Sequence, residues 1–135
     1  MTYRKAEIRP FEPGDEPLLF GLASLDRGAD RRTLAVLEEE TVFVAEVEGG
    51  PAGYVALVRA GDAVRIDQLF VSPEHEAEGV GRQLLEYAEG YAISEGAPAL
   101  QVVVSGGDTR AVGFYRGRGF VPAGEDLLEI VLPGR

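Results

Sequence analysis

The chain has no cysteine, a single histidine (His75) and no apolar run near the ~20 residues that cross a bilayer. Without cysteine there is no disulfide scaffold, no thiolate metal site and no cysteine nucleophile. One histidine leaves a single way to build a Ser-His-Asp triad and none to build a multi-histidine zinc site, so no metal is expected. Basic residues are scarce as well: 13 Lys plus Arg stand against 23 Asp plus Glu, a formal net charge of −10. Such a surface repels phosphate backbones and attracts amines and other cations, so nucleic acid is not an expected partner. The same charge also keeps a small domain soluble. The opening M-T-Y-R-K is basic, but no apolar signal-peptide core follows it. The expectation is a soluble cytoplasmic protein with no membrane partner.

What is present suffices for a core. At 135 residues and 45% hydrophobic, one domain (1–135) is expected, hiding roughly two-thirds of its unfolded surface. The first strand is placed at Tyr3 to Arg9, ended by Pro10 and Pro13. Helices are predicted near 15–24 and 30–40, the second capped by Asp30. T-V-F-V-A-E-V-E (Thr41 to Glu48), Ala52 to Ala60 and Ala63 to Val71 are joined by turns at Gly49-Gly50-Pro51 and Gly61-Asp62, the pattern of an antiparallel meander. The period then changes. From Val80 to Glu95, residues Val80, Leu84, Ala88, Tyr91 and Ala92 line one helix face, with Leu85 at its edge and Gly96 as C-cap. Ala99 to Val104 reads as a strand buried on both faces. Asp108 caps a helix running to about Gly117, and Gly119 to Val121 and Asp126 to Leu132 form a last strand pair. The strand–helix–strand stretch from Ala63 to Val104 predicts a parallel crossover. The class is α/β (or α+β) with a mixed sheet.

The most informative junction is V-S-P-E-H-E-A-E-G-V-G-R-Q-L-L, Val71 to Leu85. A strand ends, Pro73 stops it, and Gly79 and Gly81 open a long helix. Backbone amides and the positive end of the helix dipole converge there, as in sites that hold a pyrophosphate. Glycines at such a junction also serve as plain caps. A dinucleotide fingerprint fails because Leu84 occupies the third glycine position, and a P-loop fails because no Lys follows the glycines.

About thirty residues on, D-T-R-A-V-G-F-Y-R-G-R-G-F (Asp108 to Phe120) places Phe114 and Tyr115 near the end of a helix before a Gly-Phe strand start. The order strand, G-x-G-x-x-L-L helix, apolar strand and A-x-x-F-Y-x-x-x-G-F resembles the GNAT superfamily of N-acetyltransferases. The two motif segments cover Arg65 to Val121, and the flanking elements fit the same layout. The resemblance implies a mixed, mostly antiparallel central sheet with a V-shaped splay between two parallel strands and about four flanking helices. It also implies acetyl-CoA as cosubstrate and a small-molecule or peptide amine as acceptor. Leu69, Phe70 and Val71 would lie beside the pantetheine arm, with the Leu69 amide at a bulge facing the thioester oxygen. Glu76, Ala77, Glu78, Gly79, Val80, Gly81 and Arg82 would carry the pyrophosphate on main-chain amides. Asp108 and Ala111 would stand on the cofactor side of the later helix, Tyr115 would protonate the departing thiolate, and Asp67 would receive the amine's proton.

The chemistry explains these residue types. Amide formation from a thioester needs a neutral amine, a polarised carbonyl and a proton for the leaving sulfur. A phenol whose ordinary pKa is near ~10 stays protonated at neutral pH. Packing alone also accounts for Phe114 and Tyr115, and Asp67 also suits a solvent-facing strand position. His75 is expected to lie exposed in the loop, outside the chemistry.

The chain departs from the family pattern at the proposed anion loop. Glu76 stands where Arg or Gln is usual, Ala77 where Gly is common, Glu78 where a basic residue is frequent, and Asp108 where Asn is usual. Glu74 to Gly81 carries three carboxylates and no Lys or Arg. At a water-like dielectric each close like-charge pair costs ~1 kcal/mol. One reading turns Glu76 and Glu78 outward and leaves the amides to bind phosphate, with Arg82, Arg110, Arg116 and Arg118 as counter-charge. The other is a GNAT-fold binding or regulatory module with weakened or lost CoA binding. The acceptor wall is placed on the helices from Asp15 to Glu40 and the loop after Gly61; that helical stretch is acid-rich and mildly favours a cationic acceptor. The resemblance also includes homodimers formed through late strands, here Leu127 to Leu132.

Overall fold

The computed structural model describes residues 6–12, 14, 15, 17, 40–105 and 107–133. The strands are β1 (Glu7–Pro10), β2 (Thr41–Val47), β3 (Gly50–Ala60), β4 (Ala63–Val71), β5 (Ala99–Val103), β6 (Val121–Gly124) and β7 (Leu127–Val131). The helices are α1 (Val80–Ser94) and α2 (Thr109–Gly117), with a 3₁₀ turn at Pro73–Glu78 before α1. All seven strands form one sheet in the order β1-β2-β3-β4-β5-β7-β6. Its pairings are antiparallel at β1–β2, β2–β3, β5–β7 and β6–β7 and parallel at β4–β5. The predicted class and crossover are therefore present. Apart from Asp15, Pro17 and Glu40, the predicted helices at 15–24 and 30–40 lie outside the described residues, as do Tyr3 to Lys5 of the first predicted strand.

The meander follows from its turns. Glu48 and Gly49 both take positive φ (54° and 80°), the mirror-image turn that matches strand twist in a two-residue hairpin. Gly61 (φ 65°) and Asp62 make the next turn, and a link this short can only return the chain antiparallel. It leaves no loop after Gly61 to build an acceptor wall.

Contacts divide the chain into two compact units. The first holds β1, β2, most of β3, the end of β4, the 3₁₀ turn and the first part of α1. Ala52 to Leu57 of β3 are buried without a break, as a central strand requires. Val80, Leu84, Leu85 and Ala88 of α1 are fully buried. Leu85 thus belongs to the core rather than its edge: with Val80, Leu84 and Ala88 it widens the apolar stripe to four positions per two turns. Tyr87 lies against Phe43 with ring centroids 4.7 Å apart, and Gln83 Oε1 accepts from the Ala6 amide at 3.0 Å. Arg9 ties β1 down: its guanidinium forks onto Asp15 (2.6 and 3.0 Å) and bonds Glu46 at 2.8 Å. Those bonds, with the Glu12 amide, hold the Asp15 carboxyl below its usual pKa.

The second unit holds the β3–β4 turn, the first part of β4, the end of α1 and everything from β5 onward. Its core is Val64, Ile66, Ala92, Leu100, Val102, Phe120 and Leu128. β5 was expected to be buried on both faces, and it is not. Leu100 and Val102 are sealed, but Val103 is 57% exposed and Gln101 instead bonds Glu129 (3.0 Å) and Arg65 (3.4 Å) across the sheet. An apolar run records average hydrophobicity and not which face a helix covers. Tyr91, placed on the apolar stripe, is only half-buried.

Candidate functional site

β4 and β5 are registered from Val64↔Leu100 to Ile66↔Val102. β5 ends at Val103, whereas β4 runs on to Val71. Over that last stretch β4 is held from its other side by β3. The Ser72 amide donates to the Ala52 carbonyl at 2.7 Å. β3 ends at Ala60 and β4 starts at Ala63, so an unbroken ladder counted from the Gly61-Asp62 turn would place Ala52 opposite Val71. The bond reaches one residue further, so β4 carries one residue more than β3 between the turn and Ser72, which is a bulge. β3 has its own shift against β2 at the same level, where Ala45 faces Gly53 but Glu46 faces Pro51.

Gly53 shows why the crossing is made there. A Cβ on Gly53 would stand 2.4 Å from the Phe70 carbonyl oxygen and 3.3 Å from the Val71 Cα, so only glycine lets the two backbones approach this closely. Tyr54, fully buried, donates its hydroxyl to Gln68 Oε1 at 2.6 Å and sets its ring 5.9 Å from that of Phe70. None of Gly53, Tyr54 or Gln68 was singled out from sequence. The available signal was the glycine inside an otherwise β-forming run, which marks a bulge or a close approach.

Leu69, Phe70 and Val71 are half-buried along this segment, and Asp67 is exposed on the preceding part of β4. After Ser72 the chain makes the 3₁₀ turn, and Gly79 caps it in the left-handed region (φ 79°, ψ 13°). The Gly79 carbonyl accepts from the Gln83 amide at 3.1 Å, so Gly79 is also where α1 begins. A helix leaves its first amides outside its own ladder, here those of Val80 and Gly81. The segment Glu76 to Glu78, expected as open loop, is thus a helical turn, with Ala77 within it. Glu76 is exposed, while Glu78 reaches back three residues to His75, its Oε1 against the histidine Nδ1. His75 was expected to be exposed; its side chain is only 17% exposed, with Glu78 against it. Arg82 pairs with Glu86 at 3.6 Å, both about half exposed, so its charge is already partly engaged.

In the second unit, Asp108 caps α2. Its Oδ1 accepts from the Ala111 amide at 3.1 Å and its carbonyl from the Val112 amide at 3.0 Å. Ala111 is half-buried on the first turn. Tyr115 is 7% exposed, edge-on to Phe114 (5.1 Å) and Phe120 (5.3 Å). Burial pushes its phenol above the ordinary value, and among the described residues its hydroxyl has no hydrogen-bond partner. Arg118 lies 3.8 Å from Glu89, while Arg110 and Arg116 are exposed. Leu69 to Val71 and Glu76 to Arg82 belong to the first unit, and Asp67, Asp108, Ala111 and Tyr115 to the second.

The cap yields a direct test. Asp108→Ala should remove about 1 kcal/mol of stability, whereas Asp108→Asn, an equally good cap, should leave the thermal midpoint within about 1 °C. Matched midpoints for the two variants would show that the side chain does not cap α2.

Comparison with known proteins adds to this geometry. The profile of the family described as "Acetyltransferase (GNAT) family" matches residues 5–120. A streptothricin acetyltransferase from Streptomyces lavendulae is 29% identical over 119 residues, covering 84% of this chain and 62% of that protein. The peptidyl-lysine N-acetyltransferase YjaB of Salmonella typhimurium is 33% identical over 94 residues, covering 69% of this chain and 59% of that one. The chain spans between 40% and 62% of the length of the curated relatives it matches. Among solved structures, the ribosomal-protein-S18-alanine N-acetyltransferase from Escherichia coli matches with a TM-score of 0.80 at 21% identity, covering 96% of this chain and 94% of that one. At that identity it is a likeness of fold.

Proposed function

We propose that this chain, which belongs to the acetyltransferase (GNAT) family, moves an acetyl group from acetyl-CoA to a primary amine by direct attack on the thioester. The observation that carries the reading is the extra residue in β4, which leads straight into the Gly79 turn and the start of α1. A bulged strand followed by a helix start offers unladdered peptide groups and then a positive helix end, which fits a carrier with an amide-bearing arm and a pyrophosphate. Bound acetyl-CoA supplies the carbonyl and the leaving sulfur: the amine nitrogen bonds the carbonyl carbon, the C–S bond breaks, one proton leaves nitrogen and one reaches sulfur.

The rest is done by the chain. Leu69, Phe70 and Val71 line the arm, and the Leu69 amide polarises the carbonyl; one such donor contributes ~3 kcal/mol in comparable sites. Val80 and Gly81 amides, with those of Glu76 to Arg82 that turn inward, hold the pyrophosphate. Tyr115 donates to the sulfur. With its pKa raised, full proton transfer to a thiolate whose own value is near ~8.5 is uphill, so hydrogen-bond donation to the developing charge is its main contribution. Asp67, exposed on β4, takes the amine's proton directly or through water. The acceptor is a cationic amine such as a lysine side chain. Two relatives named for streptothricin and peptidyl-lysine support this, as does the net charge of −10.

A second reading has one observation in its favour. Glu74 and Glu76 are exposed beside the proposed anion site, which suits a module that no longer binds CoA. Glu76 is exposed in the stretch proposed to carry the pyrophosphate, so its charge opposes a phosphate there. Glu76→Gln should tighten CoA by about fivefold, the equivalent of ~1 kcal/mol. An unchanged dissociation constant would place Glu76 too far away to matter.

The function itself is tested by incubating the protein with acetyl-CoA and a panel of amines (a lysine peptide, a polyamine and an aminosugar) while following thiol release. Release above the acetyl-CoA-only background is the expected result. CoA binding without turnover on any of them would contradict the proposal.

A further inference from the structure

We infer that Tyr54 is a positioning residue for acyl recognition: its buried hydroxyl, bonded to Gln68, holds the bulged end of β4 in the shape that aims the Leu69 amide at a thioester carbonyl. The inference rests on the acetyltransferase reading and deepens it.

A bulged segment is not fixed by its ladder, because the extra residue breaks the pairing that would set its peptide planes. Something else must hold it. Three successive residues of β3 do so here. Ala52 accepts from Ser72 at 2.7 Å and pins the far end. Gly53 admits the Phe70 carbonyl. Tyr54 bonds Gln68 at 2.6 Å and pins the near end. The two hydrogen bonds bracket Leu69 to Val71. The amide of Leu69 belongs to the peptide plane that begins at Gln68, so the tether acts on the residue that sets its direction. Tyr54 is fully buried, and a buried phenol is normally paired. Pairing it with Gln68 ties the shape of β4 to that bond.

The test compares CoA and acetyl-CoA, which differ only in the group the Leu69 amide would meet, and needs no knowledge of the acceptor. Calorimetric titration of the full chain should give acetyl-CoA about fivefold tighter binding than CoA, one hydrogen bond's worth. Tyr54→Phe keeps the ring and removes the hydroxyl. It should bring the ratio to about one while leaving the CoA dissociation constant within about twofold. Gln68→Leu should do the same, and the double variant should do no more than either alone. A preserved ratio in Tyr54→Phe overturns the inference. So does a parallel loss of both affinities, which would make the bond merely structural. If the unaltered protein binds neither ligand, the acetyltransferase reading falls, and the inference with it. If it binds both equally, the inference alone falls.

Discussion

Gly53→Ala is expected to lower the stability of the protein by about 3 kcal/mol, at the upper end for an overpacked interior. The added Cβ would stand 2.4 Å from a backbone carbonyl oxygen, that of Phe70, with a Leu84 methyl 3.2 Å away and the Val71 Cα 3.3 Å away. A leucine methyl can swing aside, but a carbonyl in a strand cannot move without dragging its neighbours. The strand that must move is the bulged end of β4, so acetyl-CoA affinity should fall together with stability. At this chain length the thermal midpoint should drop by about 10 °C. Gly113→Ala is the matching control. It lies inside α2, where a Cβ meets nothing within 4 Å, and alanine favours a helix interior by about 0.5–1 kcal/mol. A Gly53→Ala protein that melts with the unaltered one would mean that β3 and β4 do not approach as described.

Tyr115→Phe is expected to slow turnover by about a hundredfold, in the range removed with one acid or donor group, while the acetyl-CoA KM stays within about twofold. Stability should barely change. The ring contacts with Phe114 and Phe120 persist, and among the described residues the hydroxyl makes no hydrogen bond that would be lost. The pH dependence has a definite sign. Burial raises the phenol above its ordinary value of about 10, so Tyr115 remains a donor throughout the neutral and mildly alkaline range. A fall in rate between pH 8 and about 9.5 that Tyr115→Phe abolished would contradict a raised value. Wild-type turnover in the variant would remove Tyr115 from the mechanism.

Much of the sheet was legible because local signals agreed. Thr41 to Val71 alternates between β-forming runs and glycine turns, and the observed strands match them to within two residues. The helix of Val80 to Ser94 showed its period, and Asp108 announced its cap. What sequence did not reveal was side-chain pairing set by three-dimensional neighbours. The bond of Tyr54 to Gln68 joins residues whose only sequence hint was the glycine preceding Tyr54. The contact of His75 with Glu78 has helical spacing, but the stretch reads as loop because Pro73 and two glycines surround it. Val103 carries the same hydrophobic letter as Val102, and only the arrangement of covering elements tells the exposed residue from the buried one. The charge count of Glu74 to Gly81 was right, yet its consequence changed once Glu78 was engaged by His75.

The most direct measurement is a calorimetric titration of the protein with acetyl-CoA, with thermal unfolding followed in parallel. A dissociation constant in the micromolar range, with a midpoint that rises as ligand is added, is the expected result. No heat and no stabilisation at millimolar acetyl-CoA would contradict it.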